Sequence, residues 1–139
     1  MIKEPVMDCT DEELVELGKE WQTRLFLDNW IIHFQFQKES MLDDLGRELE
    51  GQCSFCFENE SASITLLKPN DDTKDRIVKH CVEHVLVHEL LHCKMNFMNP
   101  PDTLEGKYYD VKEHALLEEM SKSLIMAKYN LPLSWFINF

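Results

Sequence analysis

The sequence predicts an α+β domain with short strands grouped ahead of two long helices. Three observations carry this. A capped helical pattern opens the chain, β-branched and aromatic runs follow between residues 30 and 67, and helical spacing returns for most of the remainder. Strands that cluster in one part of the chain, rather than alternating with helices, mark an α+β architecture. The 139 residues have the length of one domain, taken here as residues 1–139.

Thr10-Asp11-Glu12-Glu13 is a helix start, with Thr10 as N-cap and Glu13 three residues on, the capping-box pattern. Leu14, Leu17, Trp21 and Leu25 continue at helical spacing to about Asp28. Trp30-Ile31-Ile32-His33-Phe34-Gln35-Phe36 is β-branched and aromatic and predicts a strand. Ser40 to Glu50 is either a short helix or a polar excursion. Gly51 to Phe57 predicts a second strand and Ala62 to Leu67 a third, giving a small mixed sheet of about three strands, closed by turn chemistry at Pro69-Asn70-Asp71-Asp72. A helix is expected from about Thr73 to Asn96, ended by Met98-Asn99-Pro100-Pro101-Asp102, because proline lacks a donor and restricts its predecessor. A loop through Gly106 leads to a last helix from about Val111 to Tyr129, followed by Pro132.

Composition excludes some function classes. The formal charge is −12, from 26 acidic and 14 basic residues, and such a surface repels a polyanion, so no nucleic-acid partner is expected. No apolar run approaches the roughly 20 residues of a membrane span, and Met1-Ile2-Lys3-Glu4-Pro5 lacks a signal-peptide pattern. A cytoplasmic location with no membrane partner is the expectation. The five cysteines are odd in number and irregular in spacing, which suits reduced thiols better than a disulfide framework. Cys53-Ser54-Phe55-Cys56 is half of a structural zinc site without a second half, and reads as core cysteines.

The chemistry concentrates at His88-Glu89-Leu90-Leu91-His92. Histidines four apart on a helix share one face, so two imidazoles can reach one ion. Glu89 is rotated by about 100° from His88, placed to serve as base toward a metal-activated water without ligating the ion. This is the H-E-x-x-H arrangement. Val85-Leu86-Val87 and Leu90-Leu91 make the helix strongly apolar, and buried histidines beside a carboxylate need partners. One turn upstream, His80-Cys81-Val82-Glu83-His84 spells the inverted string H-x-x-E-H. It lies nearer the polar helix start, so His80 and His84 are expected to be flanking or exposed, with His84 also a candidate support for the site.

A catalytic zinc takes three protein ligands. Glu113-His114-Ala115-Leu116-Leu117-Glu118-Glu119 opens the next helix, where His114 and Glu118 share a face. His114 is the favoured third ligand with Glu118 orienting its second nitrogen; Glu118 or Glu113 as ligand is the alternative. The metal set expected is His88, His92 and His114 with Zn2+, and Glu89 is the expected catalytic residue.

Val85-Leu86-Val87-His88-Glu89-Leu90-Leu91-His92 resembles the active helix of small zincins. With the strands at 30–36 and 62–67 and the Glu/His-rich helix behind it, the chain resembles the minimal metallopeptidase domains of phages and bacteria, such as gluzincins, SprT-like domains and ImmA/IrrE-type peptidases. The resemblance covers roughly residues 25–128 and implies a zincin-like fold, hydrolase activity and a protein or peptide substrate. Metzincins are excluded, because their glycine and third histidine would fall on Met95 and Met98. Lys94 and the five-residue spacing of Glu113 and Glu118 depart from the gluzincin pattern. The resemblance also implies that Ile64-Thr65-Leu66 lies at a sheet edge where a substrate can pair, and that Tyr108 or Tyr109 can donate to an oxyanion. The alternative function is a non-catalytic zinc-binding regulatory or partner-binding module.

Overall fold

The computed structural model describes residues 3–56, 58–70, 80–95 and 104–136, with the side chains of 104–110 excepted. The elements run α1 (Asp11–Arg24), β1 (Ile31–Gln37), β2 (Met41–Leu42), β3 (Glu48–Leu49), β4 (Gly51–Cys56), β5 (Ser61–Leu67), α2 (Val82–Met95), α3 (Leu104–Tyr129) and a 3-10 turn at Leu133–Phe136. This is a small α+β protein with a mixed sheet, as expected. No helix among the described residues is long and apolar enough to cross a membrane.

The expected capping box is formed: Glu13 N donates to Thr10 Oγ1 at 3.2 Å and Thr10 N donates to Glu13 Oε1 at 3.0 Å. The helix ends where Phe26 takes a left-handed φ of 58° and Leu27 N reaches back to Gln22 O at 2.7 Å, the bond pattern of a Schellman stop. Gly18 of α1 sits on the ring of Phe34, whose atoms a Cβ there would meet at 2.5 Å. A side chain at 18 would push the helix off the sheet.

The three-stranded sheet has the order β1-β5-β4. β1 and β5 run parallel, from Ile31↔Ser61 to Gln37↔Leu67, and β4 runs antiparallel to β5, from Gly51↔Leu66 to Cys56↔Ser61. Phe34, Ile64 and Leu66 belong to one buried core cluster with Val85, Leu86 and Leu90 of α2. The order corrects the expectation for Ile64-Thr65-Leu66, because β5 lies between β1 and β4, which are the edges among the described residues. Ser40 to Glu50 is neither a helix nor a plain excursion. It contains the antiparallel pair Met41↔Leu49 and Leu42↔Glu48, closed around Gly46 at φ 77°. The Asp43 carboxylate accepts from Leu45 N at 2.8 Å and Arg47 N at 2.9 Å and holds that turn.

Both long helices differ from expectation at their starts. His80 and Cys81 precede α2 rather than belonging to it, and residues 73–79 of the predicted helix lie outside the described residues. The last helix begins at Leu104, so Gly106 lies inside it and not in a loop. Gly106 falls in the first turn, and the 26-residue helix absorbs a cost of at most about 1 kcal/mol relative to alanine there. Its end is as expected: Asn130 has a left-handed φ of 53° and Leu131 N bonds Met126 O at 3.0 Å.

One buried carboxylate joins the helices. Glu83, in the first turn of α2, is fully buried. Trp21 Nε1 of α1 and Lys128 Nζ of α3 donate to its Oε2 at 2.8 and 2.7 Å. Tyr129 Oη and Val6 N donate to its Oε1 at 2.5 and 2.9 Å. A carboxylate taken out of water needs this many donors. Together they set α1 and α3 on α2.

Candidate metal centre

α2 is buried over nearly its whole circumference, with only His92, Lys94 and Met95 half-buried. His84, His88 and His92 form one stripe that drifts by about 40° per four residues. Glu118 and Glu113 of α3 lie against this stripe. Glu89 is turned toward β4, where a Cβ on Gly51 would meet its Cγ at 3.1 Å and Val85 Cγ1 at 2.6 Å. The missing side chain at 51 is what lets the strand pass this close to the helix.

His114 of α3 meets His88 and His92, and the three form a cluster that could hold a metal ion, with ligand atoms within 4.8 Å of one another. The rings of His88 and His114 are stacked at 5.5 Å between centroids, and His92 stands edge-on to both, at 5.0 and 4.9 Å. The cluster grades from buried His88 through half-buried His92 to exposed His114, so it opens to solvent on the α3 side. Three imidazoles and an open side fit a zinc site that keeps a fourth position free.

The carboxylates of α3 stand behind the α2 histidines. Glu118 Oε1 lies 2.8 Å from His88 Nδ1 and its Oε2 lies 3.3 Å from His84 Nε2, close approaches that are not aligned as hydrogen bonds. Glu113 Oε1 lies 3.4 Å from His92 Nδ1. Each α2 histidine of the cluster therefore has a carboxylate at Nδ1, which leaves Nε2 for an ion. A carboxylate behind a ligating imidazole fixes its tautomer and orientation. This corrects the pairing read from sequence: Glu118 engages His88 and His84, where it was expected behind His114.

The electrostatics follow from burial and these contacts. Burial pushes Glu89 up to about 7, with His88 opposing and Glu118 adding to the effect. Burial, then the neighbouring His88 and His114, hold His92 down at about 4. A neutral ring is the form that binds a metal. Burial opposes the charge of Glu118, but His84 and His88 outweigh it and hold the carboxyl well below the usual range. Burial likewise opposes the charge on His88, and Glu118, Glu89 and Glu113 together raise it.

The upstream string does not assemble. His80 and His84 are both buried, at 5% and 6% exposure, against the expectation of flanking or exposed positions. His80 Nε2 donates to Leu67 O at 2.9 Å, off the helix. Glu83 is consumed by Trp21, Lys128 and Tyr129. His84 alone joins the site, through Glu118. Its ring also packs edge-on against Phe136, with centroids 5.8 Å apart. The Glu83 network was missed at the level of sequence, although a glutamate between Val82 and Val85 was itself a sign that a cation would be found for it.

Cys53 and Cys56 lie on β4, where residues three apart point to opposite faces. Cys56 is exposed, while Cys53 packs on Cys93 of α2 with sulfurs 3.7 Å apart. The pair is thus no metal half-site of its own. The side chains of Tyr108 and Tyr109 lie outside the described residues, and their backbone is part of α3, not of a loop. No protein family, curated protein or solved structure matches the chain.

Proposed function

We propose that the chain is a zinc-dependent peptidase in which His88, His92 and His114 hold the ion and Glu89 is the general base. The observation that carries this reading is the convergence of three imidazoles from two helices, with the buried carboxylate of Glu89 next to His88 in the chain. When bound, the ion supplies Lewis acidity, polarising a scissile carbonyl and lowering the pKa of water. Glu89 takes the proton of the attacking water and returns it to the leaving amine nitrogen. Burial raises the energy of its ionised form, which favours its taking up the proton that it then returns. Glu118 and Glu113 face Nδ1 of His88 and His92 and would favour the orientation that leaves Nε2 for the ion. The substrate is an extended peptide. The edge role expected for β5 passes to β4, which pairs only with β5 among the described residues and passes directly over Glu89. A peptide pairing with that edge would run alongside the base.

The test is Glu89→Gln, assayed for bound metal and for hydrolysis of a mixed peptide library by mass spectrometry. The expected result is zinc retained at wild-type stoichiometry with hydrolysis reduced by about 10²–10⁴-fold. Hydrolysis unchanged in the variant, or wild-type protein that takes up no zinc, would overturn the proposal. Zinc bound by a wild-type protein that cleaves no peptide in the library would favour the non-catalytic module instead.

A further inference from the structure

Cys53 and Cys93 take no part in the metal cluster, yet they join β4 to the helix that carries two of its histidines. Cys53 comes from the edge strand β4 and Cys93 from the last turn of α2, one residue after His92. Their sulfurs are 3.7 Å apart in the reduced protein, although 40 residues separate them in sequence. Cys93 is 2% exposed, and Cys53 is half-buried. The other cysteines differ: Cys56 is exposed on the opposite face of β4, Cys81 Sγ donates to Val6 O at 3.6 Å, and Cys9 belongs to the buried core.

A disulfide needs its sulfurs at about 2.05 Å. β4 is hydrogen-bonded to a neighbour on one side only among the described residues, so it is the element able to close the remaining gap. The outer sulfur, Cys53, is the one a small oxidant meets first, and the inner sulfur already lies against it.

We propose that Cys53 and Cys93 are a redox modification site, oxidised by a peroxide to a reversible disulfide that ties β4 to the metal helix. Cys53 sulfur attacks a peroxide oxygen and the O–O bond breaks. With hydrogen peroxide this yields a sulfenic acid on Cys53 and one water. Cys93 sulfur then attacks Cys53 sulfur, the S–O bond breaks, and the departing hydroxide takes the Cys93 proton as a second water. Two thiols lose two electrons, and one peroxide is reduced to two waters. A thiol reductant reverses the bond by exchange. The hydrogen bond to Cys93 and burial push the Cys53 thiol up, so the reaction is slow and needs oxidant in excess. The bond would fix the strand that lies over Glu89, which makes it a covalent clamp on the proposed cleft.

The experiment treats the full chain with excess hydrogen peroxide, alkylates the remaining thiols after unfolding, and maps non-reduced peptides by mass spectrometry. The expected result is a cross-linked peptide pair containing Cys53 and Cys93, lost on treatment with dithiothreitol. It should be absent in Cys53→Ser and Cys93→Ser and retained in Cys56→Ser. Recovery of Cys53 and Cys93 as alkylated thiols from peroxide-treated wild-type protein would overturn the proposal, as would a Cys53–Cys56 cross-link or sulfinic acid at Cys53. Amide hydrogen exchange supplies the clamp test: residues 51–56 should exchange at least about tenfold more slowly once oxidised, and unchanged exchange would refute the clamp. Neither readout involves metal or hydrolysis, so failure here is distinct from failure of the peptidase reading.

Discussion

At the scale of single residues, the proposed chemistry would depend on carboxylates that do not themselves belong to the histidine cluster. Glu118 faces the Nδ1 of His88 at 2.8 Å and the Nε2 of His84 at 3.3 Å. Removing it frees the His88 ring to turn. Glu118→Ala should therefore weaken zinc binding by about 10–100-fold, measured by competition with a chelating dye, and an unchanged affinity would contradict the orienting role. Glu83 is the structural counterpart. Glu83→Ala removes the buried acceptor shared by Trp21, Lys128 and Tyr129 and leaves Lys128 its ion pair with the more exposed Glu20 at 2.6 Å. The expected loss is about 3–5 kcal/mol by urea denaturation, and a loss well under 1 kcal/mol would show that the network is idle.

The same network predicts an alkaline limit. Burial and the hydrogen bond to Glu83 push Tyr129 up from 10.0 to about 12. Burial opposes the Lys128 charge, but Glu20 and Glu83 raise it above the ordinary lysine value. Both groups hold their protons more tightly when folded. Their contribution is complete below about pH 10 and is lost as pH rises toward 12. The unfolding midpoint should fall across that window in the wild type. It should fall less steeply in Tyr129→Phe, and equal slopes would remove Tyr129 from the account.

At the scale of elements, local patterns were legible and pairings were not. The three sheet strands were expected within a residue or so of where they lie, because β-branched and aromatic runs between turn residues report backbone preference directly. That β5 is central could not be read, since Ser61, Ser63 and Thr65 on its outer positions would suit an edge equally well. Strand order is fixed by contacts between distant segments. The partner of Glu118 was missed for the same reason. Spacing on α3 puts His114 and Glu118 on one face, but only the way α3 sits on α2 shows that Glu118 meets His88. Gly51 exposes the helix–strand contact to test. A Cβ there would stand 2.6 Å from Val85 Cγ1, so Gly51→Ala should cost about 1–3 kcal/mol and lower hydrolysis through Glu89. A neutral substitution would mean that β4 is free to move away.

At the scale of the molecule, the core is built apart from the histidine cluster. Leu14, Trp21, Ile64, Leu66, Leu86, Leu90, Leu117 and Ile125 form one buried group that joins every layer without a metal. The cluster lies at its margin, open through His114. Chelation should therefore lower the melting temperature without unfolding the protein at 25 °C, since a ligand bound only by the folded state adds to stability by mass action. A chain that lost its far-ultraviolet circular dichroism on chelation would have a structural ion instead. The central claim, that His88, His92 and His114 hold zinc, is tested most directly by crystals of the zinc-loaded protein measured on both sides of the zinc absorption edge. The account predicts one anomalous peak bounded by those three imidazoles, with Glu89 outside the coordination sphere. A peak bounded by His84, His88 and Glu118, or none on this face of α2, would contradict it.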